Sequence, residues 1–220
     1  MGSRQRLFWC SDPYDLPASD GRFVRAAADN CAFHIRRCPE YAAIARRLGF
    51  SPDQLKTVED LAKIPPIPTL FFKRHAVFSM PERWPVAMRV TSSGTSGKFS
   101  QVNFDWGCVL AEVPMILRLG WRHRLISPVP AYSRVVIRDV ETLEPLPMGK
   151  VGLVNLISPL IKATPVTSVI TDDLGYLEPG EDCGCGIPSP TLTILGRVGL
   201  SDITTCAAGA AQLLGKGEGL

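Results

Sequence analysis

Apolar residues near the start of the chain recur at intervals of three and four positions, which is the period of an α-helix with one buried face. This pattern holds from Asp20 to Leu48. Pro39 stands where a second helix can begin, and Gly49 stands where it can end. The spacing therefore predicts two consecutive helices. Their buried face comprises Phe23, Ala26, Ala27, Asn30, Cys31, His34 and Ile35, followed by Tyr41, Ile44, Ala45 and Leu48.

Beyond residue 50 the helical period gives way to shorter segments. Thr57 and Asp60 have the spacing of a capping box before a short helix. The prolines of IPPIPT, residues 64–69, predict an extended linker, and LFFKRHAVF, residues 70–78, reads as a strand. Residues 101–104 alternate as a strand does, and residues 106–119 are apolar enough for a buried helix that Pro114 would kink.

The second half of the chain alternates short β-rich runs with turns. Four runs are rich in β-branched residues, namely SRVVIRD, VGLVNLIS, TSVITDD and PTLTILGR. Helices followed by strands indicate an α+β fold with an N-terminal helical part and a C-terminal β-rich part. We divide it at residues 1–125 and 126–220, as two parts of one domain.

The segment VTSSGTSGKFSQVNFD, residues 90–105, carries the strongest chemical signal. Gly, Ser and Thr fill every position from Thr91 to Gly97, and Lys98 follows. Such a loop can turn sharply and direct several backbone N–H groups at one phosphate. It is not a Walker A loop, because that motif needs Gly in place of Ser92 and Ser or Thr in place of Phe99. A polar hairpin loop is the alternative, and in either case it should join two antiparallel strands.

Composition changes this picture little. The chain has 220 residues, is 45% hydrophobic and carries a formal charge of +3, which gives no argument for a nucleic acid partner. Neither a targeting segment nor a bilayer-length apolar stretch is visible, so we expect a cytoplasmic protein without membrane insertion. The paired arginines at 36–37 and 46–47 and the run 118–124 read as solvated helix faces.

Seven cysteines without a framework spacing suit a reducing compartment. Four of them read as ordinary buried residues. Cys183 and Cys185 could offer two zinc ligands, but the histidines that would complete a tetrahedral site lie far away in sequence. A turn over DCGCG, residues 182–186, is the preferred interpretation and a zinc site the alternative, so we assign no metal ligands. The four expected in the interior are Cys10, Cys31, Cys38 and Cys108.

The Gly/Ser loop resembles the phosphate-binding signature of acyl-adenylating enzymes, with its lysine slightly early. Three later stretches resemble, in order, the closing motifs of the acyl-protein synthetase family, which includes the long-chain fatty-acid ligase of bacterial luminescence systems and is distantly similar to phenylacetate-CoA ligase. The resemblance covers residues 55–105 and 132–206. The three stretches are VVIRDVETLEPLPMGKVGLVNLISP, SVITDDLGYLEPGEDCGCG and TILGRVGLSDITTC.

The resemblance implies a shortened adenylating scaffold that uses ATP and Mg²⁺ to activate a fatty acid as acyl-AMP. Asp173 corresponds to the aspartate that accepts hydrogen bonds from the ribose hydroxyls, and Arg197 to an arginine near the nucleotide. Cys206 corresponds to the cysteine that carries the acyl group as a thioester, for delivery to a reductase or carrier protein. Lys98 would offset the charge of pyrophosphate. The loop residues that would bind phosphate are Thr91, Ser92, Ser93, Gly94, Thr95, Ser96 and Gly97.

Two departures from the family pattern keep a second interpretation open. Residues 201, 202, 204 and 205 are Ser, Asp, Thr and Thr where the family has Ala, Glu, Arg and Gly. Residues 107–131 are too few to hold the central region with the acyl pocket and the glutamate that helps to bind Mg²⁺, and Glu112 is their only carboxylate. The chain thus resembles the two ends of the family joined across an internal deletion. The alternative function is a non-catalytic nucleotide-binding or interaction module.

Overall fold

The computed structural model describes residues 2–80, 86–91, 100–112, 129–180 and 187–197. Within these ranges the N-terminal part is helical and the C-terminal part is built from strands, so the predicted α+β class is confirmed. None of the described helices is both long enough and apolar enough to cross a bilayer.

The two predicted helices are present. A short helix α1, Ser3–Phe8, precedes α2, Leu16–Arg37, and α3, Pro39–Arg47. The carboxylate of Asp15 accepts a hydrogen bond from the backbone N–H of Ala18 at 3.0 Å and so caps the start of α2. Gly49 follows α3 with φ of 64°, a conformation that glycine adopts without strain.

Short turns and a fourth helix connect α3 to the first hairpin. Two 3₁₀ turns, Pro52–Gln54 and Glu59–Lys63, lead to strand β1, Ile67–Pro68, and helix α4, Thr69–Arg74. The predicted short helix and the extended linker are therefore confirmed. The prediction of a strand over residues 70–78 is wrong, because this run forms α4 and an irregular segment that bury Phe71, Phe72 and Val77 against α3.

The strands form two sheets. Strands β2, Val86–Thr91, and β3, Gln101–Asp105, pair antiparallel as a separate ribbon, and residues 106–112 are helical. The larger sheet contains β1 and four later strands: β4 (Arg134–Arg138), β5 (Gly152–Ile157), β6 (Ser168–Glu178) and β7 (Thr191–Arg197). The four predicted C-terminal β runs are thus confirmed as β4 to β7.

Strand β6 organises the larger sheet. Strand β5 lies along one edge of β6, and β4 pairs antiparallel with the far side of β5. The opposite edge of β6 is shared: β1 pairs parallel with Val169 and Ile170, whereas β7 pairs antiparallel with residues 173–178. The edge partner of β6 therefore changes between residues 170 and 173.

The main core contains residues from both parts of the chain. Phe8, Phe23 and Leu61 from the N-terminal part pack in one cluster with Tyr132 and Ile157 from the C-terminal part. The rings of Phe8 and Tyr132 stack with centroids 5.1 Å apart. Burial of this apolar surface is the main force that holds the helices to the sheet.

A second connection is polar and fully buried. The amide nitrogen of Asn30 on α2 donates to the backbone carbonyls of Pro159 and Ile161, at 2.9 and 3.0 Å. Its oxygen accepts a hydrogen bond from the Thr167 hydroxyl at 2.7 Å. Because a buried amide must be paired, these three bonds fix the position of α2 against the segment between β5 and β6.

Candidate functional site

Asp173 and Arg197, the two residues predicted to contact a nucleotide, lie directly opposite each other on β6 and β7. The Arg197 guanidinium donates from Nε to the Asp173 carboxylate at 3.3 Å. The Asp173 side chain is 29% exposed and the Arg197 side chain is 78% exposed. A ligand can therefore reach both groups.

The position of this pair follows from the topology of β6. Asp173 is the first β6 residue in register with β7, just beyond the point where β1 leaves the same edge. A bulge between Leu174 and Gly175 lies next to the pair. A Cβ atom on Gly175 would lie 2.5 Å from the Thr193 carbonyl oxygen, so the close approach of the two strands requires glycine there.

The structure also distinguishes Asp173 from its neighbour. The carboxylate of Asp172 accepts a hydrogen bond from the Thr69 hydroxyl at 2.8 Å, which joins β6 to the first turn of α4. Asp172 thus has a structural partner inside the fold. Among the described residues, only the Arg197 side chain donates a hydrogen bond to the Asp173 carboxylate. Each carboxylate oxygen can accept further hydrogen bonds.

The Gly/Ser loop is flanked by the predicted antiparallel strands. Thr91 at the end of β2 is paired with Gln101 at the start of β3, and Thr91 is exposed. The rest of the loop, from Ser92 to Lys98, lies outside the described residues. Its proximity to Asp173 and Arg197 therefore stays a prediction.

The described cysteines lie in the interior, as expected. Burial raises the pKa of the Cys31 and Cys38 thiols to about 12, and burial followed by the nearby charge of Glu112 raises the pKa of Cys108 still further. A thiol whose pKa is raised in this way is a poor nucleophile at neutral pH. The predicted acyl carrier Cys206 and the pair Cys183 and Cys185 lie outside the described residues.

Metal ligands are not clustered in the part of the chain that the structure describes: no group of three His, Cys, Asp or Glu side chains there could hold a metal ion. Glu112, the carboxylate singled out between β3 and β4, accepts a hydrogen bond from the Cys108 thiol at 3.7 Å. Among the described residues we therefore assign no protein ligand to Mg²⁺.

Some residues of interest escaped the sequence analysis. The Thr69 hydroxyl binds the Asp172 carboxylate and so leaves Asp173 as the aspartate of this pair that a ligand can contact. Thr69 lies 103 positions from Asp172 in the sequence. Asp105, at the end of β3, is buried and pairs with Arg4 and with the backbone of Lys162. No local pattern reports such contacts, because their partners are distant in sequence.

The comparisons with known proteins bear on the C-terminal half, where the Asp173–Arg197 pair lies. A family model described as acyl-protein synthetase, LuxE, matches residues 116–215. These 100 residues are therefore similar to the LuxE family. The match includes all of β4 to β7 and confirms the resemblance that the closing motifs indicated. No curated protein is significantly similar to the chain.

The LuxE match indicates acyl-protein synthesis, a ligase activity, as the class of function. Of the residues singled out from the sequence, Asp173, Arg197 and Cys206 lie inside the matched range. The Gly/Ser loop and Lys98 lie before it, so their assignment to phosphate binding stays a prediction.

Proposed function

We propose that this protein is an ATP-dependent acyl-protein synthetase that activates a long-chain carboxylic acid and transfers the acyl group to a cysteine thiol. The observation that carries the proposal is the pairing of Asp173 with Arg197 on an exposed edge of a sheet within the segment that matches the LuxE family. Two residues that were assigned to one nucleotide from separate motifs, 24 positions apart, are neighbours in space.

The chemistry of the pair suits a ribose. A carboxylate can accept hydrogen bonds from both hydroxyls of a vicinal diol, and the guanidinium orients the carboxylate. Arg197 has further N–H donors besides Nε, which can contact an anionic group of the same nucleotide. The free side of Asp173 faces no other described partner, whereas Asp172 is already bound to Thr69.

In the first step of the proposed reaction, a carboxylate oxygen attacks the α-phosphorus of ATP, an oxygen–phosphorus bond forms, and pyrophosphate leaves. Backbone N–H groups of the Gly/Ser loop and the ammonium of Lys98 would offset the charge on pyrophosphate. Mg²⁺ would further neutralise the phosphates of ATP.

In the second step the thiolate of Cys206 attacks the acyl carbon. A sulfur–carbon bond forms, AMP leaves with the electron pair of the broken acyl–oxygen bond, and the thiol proton passes to solvent. The resulting thioester can deliver the acyl group to a reductase or carrier protein. Thr204 and Thr205 replace the Arg and Gly of the family pattern, so no arginine at that position lowers the thiol pKa and transfer should be slow at neutral pH.

A test of the second step is acylation of the chain by fatty acids of different length in the presence of ATP, measured as a mass increase that hydroxylamine removes. The Cys206→Ala variant should lose the label and keep nucleotide binding. Cys183→Ala is the matched control and should keep both. Label that persists in Cys206→Ala, or that moves to Cys183 or Cys185, would remove Cys206 from the reaction.

A non-catalytic nucleotide-binding module is the second candidate function. The observation that favours it is the interval between β3 and β4, which leaves only residues 106–133 where the family resemblance implies an acyl pocket. This candidate predicts that ATP binds, that binding weakens in Asp173→Asn, and that no carboxylic acid promotes pyrophosphate exchange or labelling.

A further inference from the structure

A polar cavity of about 410 Å³ lies between the N-terminal helices and the loop that joins β5 to β6. It is formed by the first turn of α1, the last part of α2 and the loop between β5 and β6. Its charged lining residues among the described part are Arg4, Arg36, Lys162 and Asp29. The first three carry positive charge and come from three separate segments of the chain.

A buried carboxylate, that of Asp105, holds two of the lining residues in place. Asp105 is 4% exposed and pairs with the Arg4 guanidinium, with Nη1 lying 3.0 Å from Oδ1. Its Oδ2 accepts a hydrogen bond from the backbone N–H of Lys162 at 2.9 Å. Arg4 also donates to the carbonyl of Leu160 at 2.9 Å. These contacts fix the backbone that carries Lys162 and the side chain of Arg4.

Gly107 leaves room for the guanidinium. A Cβ atom at this position would lie 2.0 Å from Nη2 of Arg4, so any larger residue would displace it. Arg4 is therefore held between the Asp105 carboxylate and the backbone of the helical residues 106–112. This arrangement is pre-organised, since no side chain has to be ordered to bring Arg4 to the cavity.

The charges around the cavity are not balanced. Three cations, Arg4, Arg36 and Lys162, face two carboxylates, those of Asp29 and the adjacent Asp105. Neither Lys162 nor Arg36 forms an ion pair in the described part of the chain. The Lys162 ammonium lies 5.2 Å from the centroid of the Phe33 ring. Burial, and then the positive charge of Arg4, lowers the pKa of Lys162. An anion in the cavity would relieve this repulsion.

We propose that the cavity lined by Arg4, Arg36 and Lys162 binds the phosphate group of a small phosphorylated molecule, at a site separate from the Gly/Ser loop. Strand β3 runs from Gln101, which pairs with Thr91, to Asp105, the partner of Arg4. Four residue steps of roughly 3.3 Å separate Gln101 from Asp105 by about 13 Å, which is more than the span of one phosphate. The site therefore does not depend on the adenylation proposed above.

A phosphate fits the charge and the size. A phosphate monoester carries about −1.5 to −2 charge near neutral pH, so the net positive charge of the cavity attracts it more strongly than it attracts a singly charged carboxylate. Guanidinium groups bind phosphate oxygens through two parallel N–H bonds. The volume lies in the range of small-molecule pockets and leaves room for an organic group beside the phosphate.

The test is a calorimetric titration of the full chain with inorganic phosphate at constant ionic strength, beside a parallel titration with acetate. Phosphate should bind saturably and acetate much more weakly. Lys162→Met keeps the aliphatic contact with Phe33 and removes the charge, and it should weaken phosphate binding at least about tenfold, the effect of one charge-assisted hydrogen bond. Arg36→Gln, at an exposed position, should weaken it similarly without a change in fold.

Two controls separate this site from the alternatives. Arg47→Gln alters an exposed arginine at the end of α3, outside the cavity, and should bind phosphate as the wild type does. Lys98→Met should also bind normally if the Gly/Ser loop is not involved. Unchanged affinity in both Lys162→Met and Arg36→Gln, lost affinity in Lys98→Met, or equal binding of acetate would each overturn the proposal.

Discussion

Replacing Asn30 with alanine tests how the helices are held to the sheet. The side chain is fully buried and makes three hydrogen bonds, two to backbone carbonyls and one from the Thr167 hydroxyl. Alanine removes all three hydrogen bonds and leaves the two carbonyls and the Thr167 hydroxyl without their amide partner. The same segment between β5 and β6 carries Lys162 and contacts Asp105, so the change reaches the proposed phosphate cavity as well.

The magnitude follows from the number of bonds. A net contribution of about 1 to 1.5 kcal/mol per buried hydrogen bond gives a loss of about 3 to 5 kcal/mol in the free energy of unfolding. For a chain of this length that corresponds to a decrease in Tm of roughly 6 to 20 °C. Thr167→Val removes one of the three bonds and should cost only about 1 to 2 kcal/mol.

The assay is urea unfolding at pH 7, followed by far-ultraviolet circular dichroism. Arg22→Ala, at an exposed position on the same helix, is the control and should change stability by less than about 0.5 kcal/mol. The reasoning would be refuted if Asn30→Ala lost less than about 1.5 kcal/mol, or no more than Thr167→Val. Either result would mean that Asn30 is not the polar connection between α2 and the sheet.

Three further predictions concern single residues. Burial lowers the pKa of His34 from 6.5 to about 3, so the unfolded chain binds more protons than the folded chain between these values. The free energy of unfolding should therefore fall by about 5 kcal/mol as the pH decreases across that window. Urea titrations should show that His34→Gln reduces this pH dependence whereas His75→Gln retains it; an unchanged slope in His34→Gln contradicts the assignment. A Cβ on Gly180 would lie 2.1 Å from a backbone carbonyl oxygen, so Gly180→Ala should lower the unfolding free energy by about 2 to 4 kcal/mol. Gly21→Ala in α2 meets nothing within 4 Å and should raise it by up to about 1 kcal/mol, and equal effects of the two variants would refute the steric argument. Arg197→Met removes an ion pair of a largely exposed side chain and should change stability by less than about 1 kcal/mol while weakening ATP binding in an equilibrium titration; a large loss of stability would mark the pair as structural.

Two different signals predict the regular elements. The helical period of the apolar residues predicts α2 and α3, and runs rich in β-branched residues between turns predict β4 to β7. The run from Leu70 to Phe78 was assigned wrongly because it is apolar without a decisive period. Its first turn follows Pro68 as a helix start, and Phe71 and Phe72 pack against α3, a tertiary contact that the local sequence does not encode.

The sequence predicts only part of the candidate site, because some of its contacts join residues that are distant in the chain. Motifs located Asp173 and Arg197, and the register of β6 and β7 pairs them. The choice between Asp172 and Asp173 depends on the hydroxyl of Thr69, and the phosphate cavity depends on Arg4, Arg36 and Lys162. These residues are distant in the chain and of common types, so their roles can be recognised only from their positions in the folded structure.

The most direct test of the proposed activity is ATP–pyrophosphate exchange, measured with a panel of carboxylic acids on the wild type and on Asp173→Asn. The account predicts exchange that depends on a fatty acid and falls at least about tenfold in Asp173→Asn, because the carboxylate that would bind the ribose is lost. Asp53→Asn, a change at an exposed position outside the site, should leave the rate unaltered. Exchange at the wild-type rate in Asp173→Asn, or no exchange with any acid, would contradict the account.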